Sequence, residues 1–365
     1  MSGGVDSSVT AYLLKEQGYD VFGVTFRNWP QDCLSRAEDK CCGPQAVADA
    51  RMVANTIGIP HFVVDEIGEF QKHVIDYFVA EYRQGRTPNP CVVCNNEIKF
   101  GTVLAKARAL GAEHVATGHY ARIELTEGHA SAWPPANSGR AEARPSEARY
   151  RLRKGRDDHK DQSYFLFGLS QEQLAHALMP VGELTKAEVR AVARKLGLKT
   201  HDKVESQEIC FVPEADYGRY LRDGAKLADR PGEIVDQQGR VLGQHAGIQY
   251  FTIGQREGLK LGGQKSPLYV AALDAATNRV VVGPREALLC AEFEIERCNW
   301  IAGDPTGELM VKIRYNHRGC PATVRLVDGG RARVTLPVPQ RAVTPGQAAV
   351  FYRDDLVVGG GWIVR

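Results

Sequence analysis

Ser2-Gly3-Gly4-Val5-Asp6-Ser7-Ser8 joins two adjacent glycines, a carboxylate and hydroxyls at fixed offsets. Lacking Cβ atoms, Gly3 and Gly4 let the main chain approach phosphate oxygens, and successive N–H groups can converge on an anion. Val9, Tyr12, Leu13 and Leu14 then form an apolar face that predicts a helix, whose positive end would lie under the same anion. That combination points to the polyphosphate of ATP, with Asp6 a candidate for the metal or phosphate shell. No lysine follows the glycines, so this is not the Gly-Lys-Ser/Thr type of loop. A Ser/Gly string alone would serve as an ordinary turn. The helix placed directly after it favours the cradle.

The second reactive set is Cys91-Val-Val-Cys94, presented behind Pro88-Asn89-Pro90. Two prolines stiffen the backbone, which suits a reactive thiol or a metal ligand. The pair fits half a zinc site, a redox couple or two buried small residues; Cys33, Cys41 and Cys42 would complete a four-cysteine zinc set only with unusual spacing. Cys210 follows Glu205-Ser-Gln-Glu-Ile and precedes Phe211-Val212-Pro213, a setting equally suited to a core residue.

These groups need a scaffold. Strands are predicted over Val21–Phe26, His61–Val64 and His114–Thr117, with helices over Ala46–Ile57, Phe70–Tyr82 and Ile98–Leu110. Such alternation implies an α/β domain with a doubly wound parallel sheet, whose ligands bind at the carboxyl ends of its strands. A strand should feed the glycine loop, yet Met1 stands directly before Ser2; the expectation is that the true start lies upstream. An exposed insert is expected over 124–149, rich in Ala, Pro, Ser, Gly and Arg. Ser170-x-x-Gln173 and Thr185-x-x-Glu188 are capping boxes that open two helices. From about Phe211 onward, short β-rich segments punctuated by glycine, including 247–254, read as a small central domain and a C-terminal β-barrel. The expected units are 1–212, 213–284 and 285–365.

A chain of 365 residues, 43% hydrophobic and 25% charged, has room for several cores. No basic leader and no apolar run of about 18 residues is visible, which argues for a cytoplasmic protein without a membrane partner. In that compartment nine cysteines serve chemistry, metal or burial before disulfide scaffolding. Net charge is only +2, but Lys312, Arg314, Arg318, Arg325, Arg331, Arg333 and Arg341 face a single acid, Asp328, between positions 311 and 341. This run is compatible with a polyanion.

Together these stretches resemble the tRNA-specific 2-thiouridylases along the whole chain. The marks are the loop at 2–8, which matches the pyrophosphatase-type (PP-loop) string of ATP-dependent adenylating enzymes, Arg-Asn-Trp at 27–29, Gly-Arg-Thr-Pro-Asn-Pro at 85–90 and Cys-Asn-Asn-Glu-Ile-Lys-Phe at 94–100. Ala-Thr-Gly-His-Tyr at 116–120, Lys-Asp-Gln-Ser-Tyr-Phe-Leu at 160–166, Ile-Cys-Phe at 209–211, Gly-Gln-Arg at 254–256 and Val-Thr-Pro-Gly-Gln at 343–347 complete them.

The resemblance implies ATP-dependent sulfur transfer to the wobble uridine of tRNA. Cys94 would be the nucleophile and Cys210 the persulfide carrier, with a Cys94–Cys210 disulfide after turnover. Ser2, Gly3, Gly4, Val5, Asp6, Ser7, Ser8, Phe26 and Gly118 would contact ATP, taken with Mg²⁺. Asn89, Pro90 and Cys91 would meet the target base, and His119, Lys160, Asp161, Gln162, Arg314, Tyr315 and Gln347 the tRNA. A sulfur-donor protein is the further partner implied. This chain carries Cys91 where many relatives carry an acid, so Cys91, Cys94 and Cys210 could instead hold an iron–sulfur cluster. The cluster is favoured here, because a third thiol has no role in a disulfide cycle. The alternative function is another PP-loop synthetase acting on a small metabolite, which would need neither thiol nor the basic barrel.

Overall fold

The computed structural model describes residues 1–28, 43–126, 150–202, 209–212, 214, 216–262 and 266–364. Expectations for Cys33, Cys41, Cys42, the segment 205–208 and most of the 124–149 insert lie outside these residues.

The N-terminal unit is α/β. Helix Val5–Glu16 follows the glycine loop, β1 spans Gly23–Arg27, helix Pro44–Ile57 crosses over, and β2 spans His61–Asp65, parallel to β1. Proline in the first turn of that crossover helix and Gly58 at its left-handed C-cap, φ 69°, set its two ends. β3 (Val115–Ala116) leads into the antiparallel hairpin of β4 (Ala121–Leu125) and β5 (Tyr150–Lys154), and β6 (Ala177–Leu178) pairs parallel with β3. The parallel pairing expected of one doubly wound sheet is thus carried, among the described residues, by two separate two-stranded sheets. Met1 lies along β1, its amine donating to the Val24 carbonyl and its own carbonyl accepting from Thr25 Oγ1 at 2.6 Å.

A helical run occupies 67–83, and another covers 90–109, opening eight residues before the expected start at Ile98. Val92, Val93, Asn95 and Asn96 are weak helix formers, which hides the early turns from propensity. Tertiary bonds compensate: Asn95 Nδ2 donates to the Phe165 carbonyl at 3.0 Å, and Gln173 Nε2 donates to the carbonyls of Asn96 and Phe100 at 2.9 and 3.0 Å. The stretch Cys94–Thr102 is wound as a π-helix, a form concentrated at functional sites.

The central unit is a four-stranded sheet in the order β8-β7-β10-β9, from β7 (Gly232–Val235), β8 (Val241–His245), β9 (Tyr269–Asp274) and β10 (Arg279–Gly283). The β character expected at 247–254 is replaced by a 3-10 turn at Ile248–Tyr250. Ile248 and Phe251, three apart, are both buried, a spacing that fits a helical turn and not strand alternation.

Six strands close the C-terminal barrel: β11 (Leu289–Asn299), β12 (Glu308–Lys312), β13 (Cys320–Val327), β14 (Arg331–Arg341), β15 (Ala348–Arg353) and β16 (Leu356–Ile363). Their order is β11-β14-β13-β12-β15-β16, and β11 pairs back onto β16. The β4–β5 hairpin adds to β16 through Leu356 and Arg153, while Arg122 and Arg153 both grip Asp355 at 2.6 and 2.5 Å. One core runs through both units: Val92, Phe100, Tyr164 and Phe167 cluster with Val350, Tyr352 and Trp362.

Candidate active site

The glycine loop has the shape its residues require. Gly3 adopts φ 66°, and a Cβ there would stand 2.5 Å from the Ala46 carbonyl oxygen. Ser8 Oγ donates to the Gly4 carbonyl at 2.7 Å, Ser7 Oγ accepts from the Ser2 amide at 3.1 Å, and Val5 anchors the helix in the core. Gly118 closes the opposite wall, since a Cβ there would lie 2.8 Å from the Asp6 carbonyl carbon and the Ser7 nitrogen. A cradle that only glycine leaves open, over a twelve-residue helix start, fits a phosphate chain. Asp6 is held by Tyr120, whose hydroxyl donates at 2.7 Å, and by Lys186, whose ammonium donates to both carboxylate oxygens at 2.7 and 2.9 Å. Phe26, near the end of β1, packs on the cluster around Phe70 and Phe78.

Next to Gly118, His119 connects the cradle to the thiols. Its Nδ1 lies 2.8 Å from Thr117 Oγ1 and its Nε2 3.5 Å from Lys99 Nζ, and Lys99 belongs to the same π-helical stretch as Cys94. His119 thus ties the segment that closes the cradle to the helical stretch that begins at Cys94. Cys94 and Cys210 both pack against the cluster of Phe70, Ile98 and Phe211, and both are half-buried, whereas Cys91 is exposed. Among the described residues no three His, Cys, Asp or Glu side chains come together to hold a metal ion.

Desolvation, and secondly the Lys99 charge, push the His119 pKa well below its usual value. The unfolded chain therefore takes up a proton near pH 6.5 that the native ring refuses, and stability present above that pH is lost as the pH falls, by at most about 1.4 kcal/mol per pH unit. His119→Gln should flatten the fall in urea midpoint between pH 7 and pH 5.5; an unchanged slope would contradict a neutral, half-buried ring.

The barrel reaches the segment before Cys91. Gln347 Nε2 donates to the carbonyls of Thr87 and Pro88 at 3.0 and 3.2 Å, and Thr87 N donates to the Pro345 carbonyl at 2.8 Å. Asn89 and Pro90 are buried beneath this contact. Thr87, Gly254, Arg314, Arg341 and Gln347 line a cavity of about 600 Å³ where the three units meet. The Tyr315 ring lies tilted at 38° to that of Phe165 with centroids 4.5 Å apart, and the Lys312 ammonium lies 5.6 Å from the Tyr315 ring centre. The basic run is partly neutralised at its far end, where Arg333 pairs with Glu294 at 2.9 Å and Arg331 with the same carboxylate. Asp161 is buried and accepts from the Gly155 and Ser163 amides at 3.2 and 3.0 Å, so it shapes a turn. Gln162 Oε1 accepts from the Tyr120 amide at 3.1 Å, and Lys160 is half-exposed on the same turn. Lys99, Tyr120 and Lys186 went unrecognised in the sequence. The capping box at Thr185 locates the helix that starts at Lys186 but says nothing of where its ammonium points.

A glycine-lined loop at a helix start, two half-buried thiols packed on one apolar cluster and a barrel bearing on the segment before Cys91 are the arrangement of an enzyme that handles a phosphorylated ligand and bears reactive thiols. Three family models match in register: a tRNA methyl transferase HUP domain over residues 1–214, a tRNA methyl transferase PRC-barrel domain over 224–284 and an aminomethyltransferase beta-barrel domain over 290–363. The tRNA-specific 2-thiouridylase MnmA of Moorella thermoacetica is 50% identical over 367 residues, covering 100% of this chain and 98% of the relative. Those of Clostridium perfringens and Geobacter metallireducens are each 48% identical, covering 100% of this chain and 96% and 95% of their own lengths. The chain belongs to the tRNA-specific 2-thiouridylase family.

Proposed function

We propose that this protein uses ATP to replace the C2 oxygen of the tRNA wobble uridine with sulfur. The observation that carries the reading is the run of contacts from Asp6 and Gly118 through His119 to Lys99, on the helical stretch that begins at Cys94. That oxygen is a poor leaving group, so it must first be esterified. It attacks the α-phosphorus of ATP, pyrophosphate leaves, and the uridine carries AMP on O2. The loop and its helix end stabilise the charge on pyrophosphate, and Asp6 would hold Mg²⁺ brought with ATP. The terminal sulfur of a persulfide on Cys210 then attacks C2 and expels AMP. Cys94 thiolate attacks the Cys210 sulfur, freeing 2-thiouridine and leaving a Cys94–Cys210 disulfide that a thiol reductant reopens. A methyl transfer, which two of the family-model descriptions name, would call for neither the phosphate cradle nor two thiols packed on one cluster.

An iron–sulfur cluster at Cys91, Cys94 and Cys210 does not fit the arrangement as it stands, with Cys91 exposed and no three-ligand group formed among the described residues. The thiol route is therefore the one proposed, with a persulfide-donating protein as sulfur source. The three-unit junction would seat the anticodon loop, whose target base can leave its stack. No described helix is long and apolar enough to cross a membrane, and a cytoplasmic setting is proposed with the boundaries 1–212, 213–284 and 285–365.

The test is pyrophosphate release with and without tRNA, followed by nucleoside analysis for 2-thiouridine. Release that ignores tRNA would overturn the reading and favour a small-metabolite synthetase. Arg314→Ala and Lys160→Ala should each weaken tRNA binding and lower its logarithmic salt slope by about one, as expected for a lost phosphate contact. An unchanged slope in filter-binding titrations would return both residues to ordinary surface.

A further inference from the structure

The loop binds its polyanion without a lysine of its own, and the fold brings one from 180 residues away in the chain. Lys186 opens the helix Lys186–Lys195, whose N-cap Thr185 and Glu188 form a complete capping box. Val189 and Ala193 on this helix pack with Val5 and Val9 on the loop helix, which fixes the ammonium over the loop. Its side chain is only 10% exposed, bonded to both Asp6 oxygens, with the ammonium 5.6 Å from the centre of the Tyr120 ring. The Lys186 amide already donates to Asp157 Oδ2 at 3.0 Å, so the ammonium is the group offered to the loop. A largely desolvated ion pair is poor stabilisation compared with apolar packing, and its placement at a phosphate cradle calls for another reason.

We propose that Lys186 is the phosphate-binding cation of this site, exchanging Asp6 for the β- and γ-phosphoryl oxygens when ATP enters. The inference rests on the loop being the ATP site. As uracil O2 bonds to the α-phosphorus, the bond from that phosphorus to its bridging oxygen breaks and the electron pair leaves on pyrophosphate. Lys186 neutralises that growing charge and transfers no proton.

Calorimetric titration of the full chain with inorganic pyrophosphate in metal-free buffer, and separately with AMP, tests this. Lys186→Met should lower pyrophosphate affinity by about tenfold or more and leave AMP affinity within about twofold, as expected when one charge-assisted contact is lost. Asp6→Asn should release Lys186 and raise metal-free pyrophosphate affinity. The double variant Asp6→Asn/Lys186→Met, which removes both members of the pair, should lose that gain. If Lys186 only balances Asp6, the double variant will bind pyrophosphate as tightly as Asp6→Asn, and the inference is overturned. Equal binding by the wild type and Lys186→Met overturns it alone; a wild type that binds neither pyrophosphate nor ATP overturns the ATP reading with it.

Discussion

Cys94→Ser should leave tRNA-dependent pyrophosphate release intact while lowering 2-thiouridine formation by roughly three orders of magnitude or more, because a nucleophile acting as a unit with its partner is lost outright. Serine keeps the size and the helical setting of Cys94, whose neighbours Val92, Asn95 and Ile98 are buried, so the fold is not at stake. Cys210→Ser should give the same split. Mass spectrometry of the wild type after a single turnover should find the Cys94–Cys210 disulfide. Cys91→Ala separates this route from a cluster: substantial activity is expected to remain, since an exposed thiol takes no part in the disulfide cycle. Loss of iron, visible absorbance and thiolation together in that variant would establish the cluster instead.

The second large effect belongs to Asp6. Asp6→Ala should reduce tRNA-dependent pyrophosphate release by on the order of 10²–10³-fold, the scale seen when one preorganised electrostatic group is removed from a reacting centre. Binding of tRNA should persist, because the barrel contacts at Gln347 and Arg314 are built on separate strands and turns. Equal loss of tRNA binding and adenylation in equilibrium and kinetic assays would mean that Asp6 supports the fold and not the phosphates.

How far the sequence foretold this site depends on the range of the interaction. The two capping boxes are local chemistry, and Ser170–Gln173 and Thr185–Glu188 both form with reciprocal bonds. Gly3 is legible as a close-approach position and Gly118 through the family resemblance, and the surroundings of both leave no room for a side chain. β16 escaped because Gly359-Gly360-Gly361 reads as a loop. In the barrel, a Cβ on Gly360 would stand 2.6 Å from the Ala349 oxygen and 2.7 Å from the Phe167 ring, so the glycines mark crowding inside a strand. β11 escaped because Glu292, Glu294 and Glu296 are poor strand formers, although their alternation with the buried Phe293 and Ile295 is that of a half-buried strand. The Lys186–Asp6 pair was invisible for a different reason. Only the packing of two helices distant in sequence brings these charges together.

The core that joins Tyr352 and Trp362 of the barrel to Val92, Phe100 and Phe167 of the catalytic unit also governs how the molecule comes apart. A barrel excised at residue 285 would expose that apolar face to water, and the catalytic unit would lose the lid over its Cys94 helix. Denaturation of these two units is then expected to show one shared transition. Large-to-small changes at Val350 or Trp362 should therefore also disturb the packing of Val92 and Phe100 on the helical run 90–109. Exchanging this barrel for another fold would leave Val92, Phe100 and Phe167 without their packing partners, so the two units constrain each other's sequence.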